Sequence, residues 1–324
     1  MKAIICESYG PPEVFQLKEV EKPVPNDSEI LIKVYATTVN RTDCGILRAK
    51  PFIIRLSSGL FKPKHAILGT EFSGKIEAVG KKVSSFKIGD KVYGFDDYGV
   101  RAYAQYMTIN EHKAVATMPK DITYEQAAAS NEGAHYAYNF INKVELSKGQ
   151  KVLVNGATGA IGSATVQLLK YLGVHITAVG NSKNVELVKI LGANRVIDYE
   201  KEDFPRVRQK YDFIFDAVGK SSFAKCKPLL KPGGVYMSSE LGYLAQNIFY
   251  ALVSPIMRDK RVIFPFPKDC KRSLLFIKKL IEQGKFKTVI DRKYPLEKII
   301  EAYKYVETGQ KTGNVVITVV HDEK

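Results

Sequence analysis

Seven consecutive residues near the middle of the chain, Gly156-Ala157-Thr158-Gly159-Ala160-Ile161-Gly162, place three glycines between an apolar run and a helical pattern. The run before them is Val152-Leu153-Val154. The segment after them repeats Ile161, Ala164, Leu168 and Leu172 at steps of three and four, the spacing of one helix face. Read as strand, turn and helix, the stretch fits the dinucleotide fingerprint with Ala157 in place of its first glycine. Such a turn brings backbone N–H groups up to a pyrophosphate at the positive end of a helix.

The ribose end of such a ligand is read one strand further on. In NAD-preferring sheets an acidic residue about 20 positions past the glycines takes the ribose 2′-hydroxyl. The second strand here ends Ala178-Val179-Gly180-Asn181-Ser182-Lys183, with no carboxylate at its tip. Asn181 and Ser182 offer hydrogen bonds to a 2′-phosphate and Lys183 offers charge. The expected cofactor is therefore NADP(H), with NAD(H) second.

Other chemistries are less well supplied. Cys6, Cys44, Cys226 and Cys270 lie far apart, leaving neither a disulfide framework nor a structural zinc site. The five histidines are scattered. The net charge of +15 is spread along the chain and reads as solvating lysines. No nucleic-acid motif is recognisable, even in the mildly basic stretch 268–293. Glu7 interrupts the first apolar run too early for a signal peptide. No stretch reaches the ~18 uninterrupted apolar residues of a membrane span. A cytoplasmic location is expected. The longest apolar stretch, Tyr243 to Met257, reads as a buried or interface helix.

These residues need elements to hold them. Residues 1–120 are rich in β patterns, with strands at 30–36, 71–79 and 91–95 between turn signals. Thr123 is placed to cap a helix that runs through 126–130 and on toward Phe140. From 151 to 266, strands at 151–155, 174–179, 194–198, 211–217, 233–238 and 261–265 alternate with helices, as in a parallel sheet covered on both faces. The tail adds helices at 272–284 and 294–308, with Ile299, Ile300 and Tyr303 inward, and a strand at 314–320. It is expected to rejoin the first domain and leave the active site in the cleft between two domains. The class is α/β.

Several motifs frame the glycine turn in order: Met1-Lys-Ala with Tyr9-Gly-Pro-Pro-Glu13, Val39-Asn-Arg-Thr-Asp43, Ile67-Leu-Gly-Thr-Glu-Phe-Ser-Gly74, Phe86-Lys-Ile-Gly-Asp-Lys-Val-Tyr-Gly94, Val196-Ile-Asp-Tyr199, Asp216-Ala-Val-Gly219 and Lys311-Thr-Gly-Asn-Val-Val-Ile317. Over nearly the whole chain they resemble the zinc-independent quinone oxidoreductase branch of the medium-chain dehydrogenase/reductase superfamily. The resemblance implies a GroES-like, partly barrel-shaped β-rich catalytic domain of residues 1–122 and 267–324. It implies a Rossmann NADP(H)-binding domain of residues 123–266. It also implies hydride transfer to a small hydrophobic quinone, enone or aldehyde. The homodimer of the family would pair Rossmann sheets edge to edge at Arg261-Val-Ile-Phe264. Two other readings stand beside this one: a zinc-independent alcohol dehydrogenase or aldehyde–ketone reductase, and an NADPH-binding regulatory or structural protein with little turnover.

Zinc-dependent relatives place Cys, His and Cys around a catalytic metal. By motif alignment those positions hold Asn40, Thr70 and Glu132, so no metal is expected. Hydrogen bonds must then polarise the acceptor, or it must arrive activated. Asn40 matches a cofactor-side asparagine, a donor to the nicotinamide ribose or to substrate, and Asp43 is read as bracing the loop. Tyr136 stands where relatives often carry a threonine near the nicotinamide; it either donates a proton or packs. His135 and Glu132 are read as structural helix residues. Tyr199 matches a tyrosine near the adenosine 2′-phosphate. Val218 and Asn314, inside the motifs above, complete the cofactor set. Some relatives use a tyrosine a few residues after Asp43 as proton donor, but Cys44-Gly-Ile-Leu-Arg48 has none, and no acid is assigned. The stretch from Lys50 to Pro63, apolar and basic, either lines the substrate entrance or packs as a loop.

Overall fold

β-branched and aromatic residues build the first part of the chain as strands. The computed structural model describes residues 1–96, 99–257 and 259–321. Its first strands are β1 (Lys2–Ile5), β2 (Gln16–Glu19), β3 (Glu29–Val39), β4 (Glu71–Val79), β5 (Lys91–Phe95), β6 (Tyr106–Asn110) and β7 (Val115–Thr117). Helix α1 (Arg41–Arg48) follows β3 directly, and a single turn, α2 (Arg55–Ser58), precedes β4. Ile30, Ile32 and Val34 of β3 share one core with Phe72 and Ile76 of β4. Burying each such side chain contributes about 1.5–3 kcal/mol.

Next come α3 (Tyr124–Ala128) and α4 (Glu132–Ile141), where the sequence predicts one continuous helix. Thr123 caps α3 as expected, accepting from the Gln126 N–H, while the Gln126 side chain accepts from the Thr123 N–H. The break has a local cause. The side chains of Ser130 and Asn131 donate to the carbonyls of Ala127 and Ala128, a local bonding that competes with helix propagation.

The middle of the chain runs β8 (Lys151–Asn155), α5 (Ala160–Tyr171), β9 (His175–Gly180), α6 (Val185–Leu191), β10 (Arg195–Asp198), β11 (Tyr211–Asp216), α7 (Phe223–Cys226), β12 (Leu230–Ser238), α8 (Gln246–Val253) and β13 (Arg261–Ile263). The strands pair in parallel in the order β10-β9-β8-β11-β12-β13. This is a doubly wound sheet whose order reverses at β8, and ligands of such sheets bind at that reversal. The apolar stretch starting at Tyr243, expected as a buried or interface helix, forms a helix only over Gln246–Val253 and is not buried. Leu244 and Ala245 take left-handed φ values of 47° and 57°, so the chain kinks. Leu244 and Leu252 are then 84% and 73% exposed.

The tail adds α9 (Cys270–Glu282), β14 (Ile290–Pro295), α10 (Ile299–Glu307) and β15 (Asn314–Thr318). β15 runs antiparallel to β3 and parallel to β14, in a sheet ordered β14-β15-β3-β4-β5-β7 with β6 also on β3. The helix expected from Tyr294 starts later because Pro295 holds Tyr294 extended. Ile299 and Tyr303 are buried, Ile300 only partly.

By contacts the chain divides into two units, Met1–Glu132 with Asp269–Lys324, and Gly133–Lys268. The expected divisions at 122/123 and 266/267 differ from these chiefly because α3 packs on β3 and β4. No helix among the described residues is long and apolar enough to cross a membrane.

Candidate active site

The turn after β8 begins at Gly156 with φ +76°, where glycine alone is unstrained. A Cβ at Gly156 would lie 2.6 Å from the Val218 Cβ, and one at Gly162 would lie 2.0 Å from the Gly156 oxygen. Gly159 differs. A Cβ there would meet nothing nearer than the Gly156 oxygen at 3.8 Å, so the protein itself does not demand glycine. Gly159 also starts α5 with no side-chain cap, leaving helix N–H groups bare on an open side. That arrangement fits a pyrophosphate. Gly180 closes against Thr158, whose Cγ2 would stand 2.8 Å from an added Cβ. Asp216 shapes the other wall, accepting from Asn155 Nδ2 at 2.9 Å, the Gly219 N–H at 3.0 Å and the Tyr236 hydroxyl at 3.1 Å. The structure thus brings Gly156 to Gly162, Gly180 and Val218 together.

The ribose end differs from the sequence reading. Asn181 Oδ1 accepts from Asn184 Nδ2 at 2.7 Å. The Ser182 hydroxyl donates to Asp198, and its N–H to Glu200 Oε2 at 3.2 Å. Carboxylates absent from the tip of β9 are therefore supplied by the end of β10, which a search along one strand does not register. Lys183 is exposed. Tyr199 is exposed too, its N–H bonded to the Gly180 oxygen at 3.0 Å.

In the other unit, β3, α1, β4, the start of α4 and the approach to β15 meet in a buried polar cluster. The Asn40 N–H donates to Asp43 Oδ2 at 2.8 Å. Asn40 Nδ2 donates to Glu71 Oε2 at 2.7 Å and faces Thr38 Oγ1 at 3.4 Å, while its Oδ1 accepts from Lys311 Nζ at 3.2 Å. Glu71 accepts in addition from the Glu132 N–H at 2.7 Å and from the Thr38 hydroxyl. Glu132 accepts from Thr42 Oγ1 at 2.6 Å. Thr70 Oγ1 lies 3.1 Å from Asp43 Oδ1 and 3.3 Å from Glu132 Oε2.

The Lys311 ammonium donates to Asn40 Oδ1 and to the Gly313 oxygen, and it feels Glu132 and Glu71 through charge. Glu71, Asp43 and Glu132 are 0%, 1% and 4% exposed. Burial and the neighbouring Glu132 charge push Asp43 up to about 7 and hold Glu71 well above the usual carboxylate range. Burial also raises Glu132, against hydrogen bonds from threonines and the charge of Lys311. For Lys311 burial pulls the ammonium down while Glu132 and Glu71 pull it up. Asp43 also lines a cavity of about 260 Å³ with Ile46, Ser58, Ile67, Leu68 and Arg101 among its walls.

The three positions that correspond to zinc ligands do gather here. They do not fit a zinc ion. Asn40 and Thr70 offer no thiolate or imidazole. Burial keeps the neighbouring Cys44 thiol protonated, and the Lys311 ammonium repels a dication. Among the described residues no group of three or more His, Cys, Asp or Glu is arranged to hold a metal.

Tyr136 is half-buried on α4, edge-on to His135 at 5.8 Å. Asn314 donates to the Val289 oxygen at 3.1 Å, and its Oδ1 is buried with no hydrogen-bond partner. Phe52, Ile53, Leu56 and Phe61 are exposed, so the 50–63 stretch is not a packed loop; Ser57 and Ser58 from it line the cavity. Sequence reasoning gave no role to Lys311 and Glu71. Their signal was membership of the Ile67–Gly74 and Lys311–Ile317 motifs.

Two family models match: the alcohol dehydrogenase GroES-like domain over residues 26–120 and the zinc-binding dehydrogenase model over residues 191–317. The chain is 32% identical to the 2-methylene-furan-3-one reductase of Solanum lycopersicum, across 98% of this chain and 79% of that one. It is 30% identical, with the same coverage, to an NADPH-dependent alkenal/one oxidoreductase, chloroplastic, of Arabidopsis thaliana. Among solved structures, the quinone oxidoreductase from Coxiella burnetii superposes with a TM-score of 0.85 at 26% identity, covering 99% of both chains. The chain belongs to the medium-chain dehydrogenase/reductase superfamily. Within it, the chain belongs to the quinone oxidoreductase branch.

Proposed function

We propose that the chain is an NADPH-dependent, zinc-independent oxidoreductase that reduces quinones or α,β-unsaturated carbonyls. The observation that carries this reading is the cluster at Asn40, Thr70 and Glu132, which keeps the place of a metal but holds an ammonium and protonatable carboxyls. Relatives named for alkenal/one and quinone substrates support the acceptor class. A reduced nicotinamide, when bound, supplies the hydride. The chain's own residues do the rest. Gly156 to Gly162 take the pyrophosphate on bare N–H groups, with Gly180 and Val218 as walls. Lys183 and Tyr199 flank the 2′-phosphate. Asn40 and Asn314 are proposed on the cofactor side, and Tyr136 as a donor to the acceptor. An activated acceptor needs no Lewis acid, because its own conjugation lowers the barrier.

A panel of NADPH and NADH, each with quinones, enones and simple aldehydes, tests this reading. NADPH with quinones or enones is expected to turn over fastest. Turnover of simple aldehydes alone would favour the aldehyde–ketone reading, and tight cofactor binding without turnover the regulatory one. A second cofactor reading has an observation behind it: Asp198 and Glu200 beside Ser182 favour a ribose hydroxyl over a phosphate, and so NADH. Lys183→Ala separates the two, raising KM for NADPH about tenfold and leaving NADH unchanged if the lysine meets the phosphate.

We place the protein in the cytoplasm as a homodimer. Four free thiols suit a reducing compartment, and cell fractionation tests the location. The dimer would join at β13, the edge of its sheet. There the Val262 N–H and oxygen are both held by the Ser254 hydroxyl, at 2.9 and 3.1 Å, so pairing must begin on either side of Val262 or displace Ser254.

A further inference from the structure

The Thr70 hydroxyl stands between two buried carboxyls and brings a single proton. Its Oγ1 stands 3.1 Å from Asp43 Oδ1 and 3.3 Å from Glu132 Oε2. Ionised carboxylates only accept, and a threonine hydroxyl brings one proton. It can point that proton fully at only one of the two oxygens, and a proton on either carboxyl lets both contacts be made as separate hydrogen bonds. Two arrangements are equivalent in count. In one, Glu132 is the acid, donating to Thr70, which donates to Asp43. In the other, Asp43 is the acid, donating to Thr70, which donates to Glu132.

Passing from the first to the second moves one proton from Glu132 to Asp43 without moving a heavy atom. The far end of this row, Asp43, lines the cavity. Its other oxygen is fixed by the Asn40 N–H, and Glu132 is fixed by Thr42. Hydrogen bonds of this length in an empty site shorten when the substrate binds.

We infer that Glu132, Thr70 and Asp43 form a proton relay that ends in the cavity, with Asp43 as the acid that protonates the reduced acceptor. The inference rests on the proposed reductase reading. A conjugated acceptor that has gained a hydride from NADPH carries an electron pair and a negative charge on its oxygen. The Asp43 O–H bond breaks, its proton joins that oxygen, and the electron pair of the O–H bond stays on the carboxylate. That leaves both carboxyls ionised, so solvent next supplies one proton to Glu132. Thr70 then passes its own proton to Asp43 and takes that one from Glu132, which restores the second arrangement, and NADP⁺ remains as the oxidised partner. Charged and titratable groups around the relay are Glu71 from β4, Lys311 from the approach to β15, Cys44 on α1, and the Tyr103 and Tyr303 hydroxyls. Lys64, His65 and Arg101 face the cavity from its far walls.

The test uses the full chain with NADPH and an enone or quinone that the wild type reduces, measured in H2O and D2O from about pH 5 to about pH 9. The wild type is expected to show a solvent isotope effect on kcat and a kcat that falls as pH rises. Thr70→Val removes the shared hydroxyl and is expected to lower kcat about a hundredfold, with KM within about twofold; the isotope effect and the alkaline limb should change with it. Thr70→Ser keeps the hydroxyl and is expected to restore kcat, isotope effect and pH profile together. A purely bracing role for Thr70 would leave the isotope effect and profile as they were. Should Thr70→Val not fold, Glu132→Gln tests the same row from its other end. Wild-type isotope effect and pH profile in whichever of these two variants folds overturn the relay alone. A wild type that reduces no acceptor overturns the proposed function, and the relay with it.

Discussion

At Asp43 a proton bound by the folded chain ties stability to pH. The folded carboxyl holds its proton up to about 7, whereas an exposed aspartate releases it near about 3.9. Between those values the native state carries more protons than the unfolded chain, so stability falls as pH rises. The contribution is complete below the lower value and lost above the upper one. Urea midpoints of the wild type should drop from about pH 5 to about pH 8, and Asp43→Asn should flatten that drop; parallel profiles would remove the assignment. Glu71 makes a different kind of contribution. Replacing it with alanine leaves the Asn40 amide, the Glu132 N–H and the Thr38 hydroxyl without their acceptor. Urea unfolding should show a loss of about 3–5 kcal/mol, as for a broken buried charge network. The sequence made Asn40, Thr70 and Glu132 legible as one site, because motif order aligns them with a metal centre. It did not reveal Lys311, which enters from 271 positions away, a distance that no local pattern encodes.

Helix and turn chemistry separates two glycines that look alike in sequence. Gly162 packs on the Gly156 carbonyl, so Gly162→Ala should destabilise the fold and be read in thermal unfolding. Gly159 has room for a methyl group, so Gly159→Ala should unfold like the wild type yet bind NADPH about tenfold more weakly by titration. Equal loss of stability in both variants would mean that the Gly159 surface is structural. At this scale most strands were legible from apolar runs, and β4, β5 and β8 fall at the predicted residues. The failures have named causes. Ser130 and Asn131 divert carbonyls from the helix after α3, Pro295 delays α10, and the left-handed pair Leu244 and Ala245 kinks a stretch that composition alone makes a helix.

For the molecule as a whole, alternation of strand and helix specified the doubly wound sheet, and the mixed pattern of the tail pointed to its return to the first domain, while the pairing of β15 with β3 was not legible. The edge of the doubly wound sheet gives one more expectation. Ser254→Ala frees the Val262 N–H and oxygen for a pairing strand, so the variant should hold its dimer to lower concentration than the wild type in gel filtration; an unchanged dissociation would mean that Ser254 does not guard the edge. The return of the tail has a consequence for the order of synthesis. Residues 133–268 are continuous and can fold as soon as they emerge. The first unit cannot finish then, because β15 and Lys311 follow residues 133–268 in the chain. Until they emerge, Asn40 Oδ1 lacks the Lys311 ammonium and one flank of β3 stays unpaired. The first unit is therefore the late-maturing one, and a chain cut before Lys311 should keep a foldable unit of residues 133–268 while its other unit stays open to proteases.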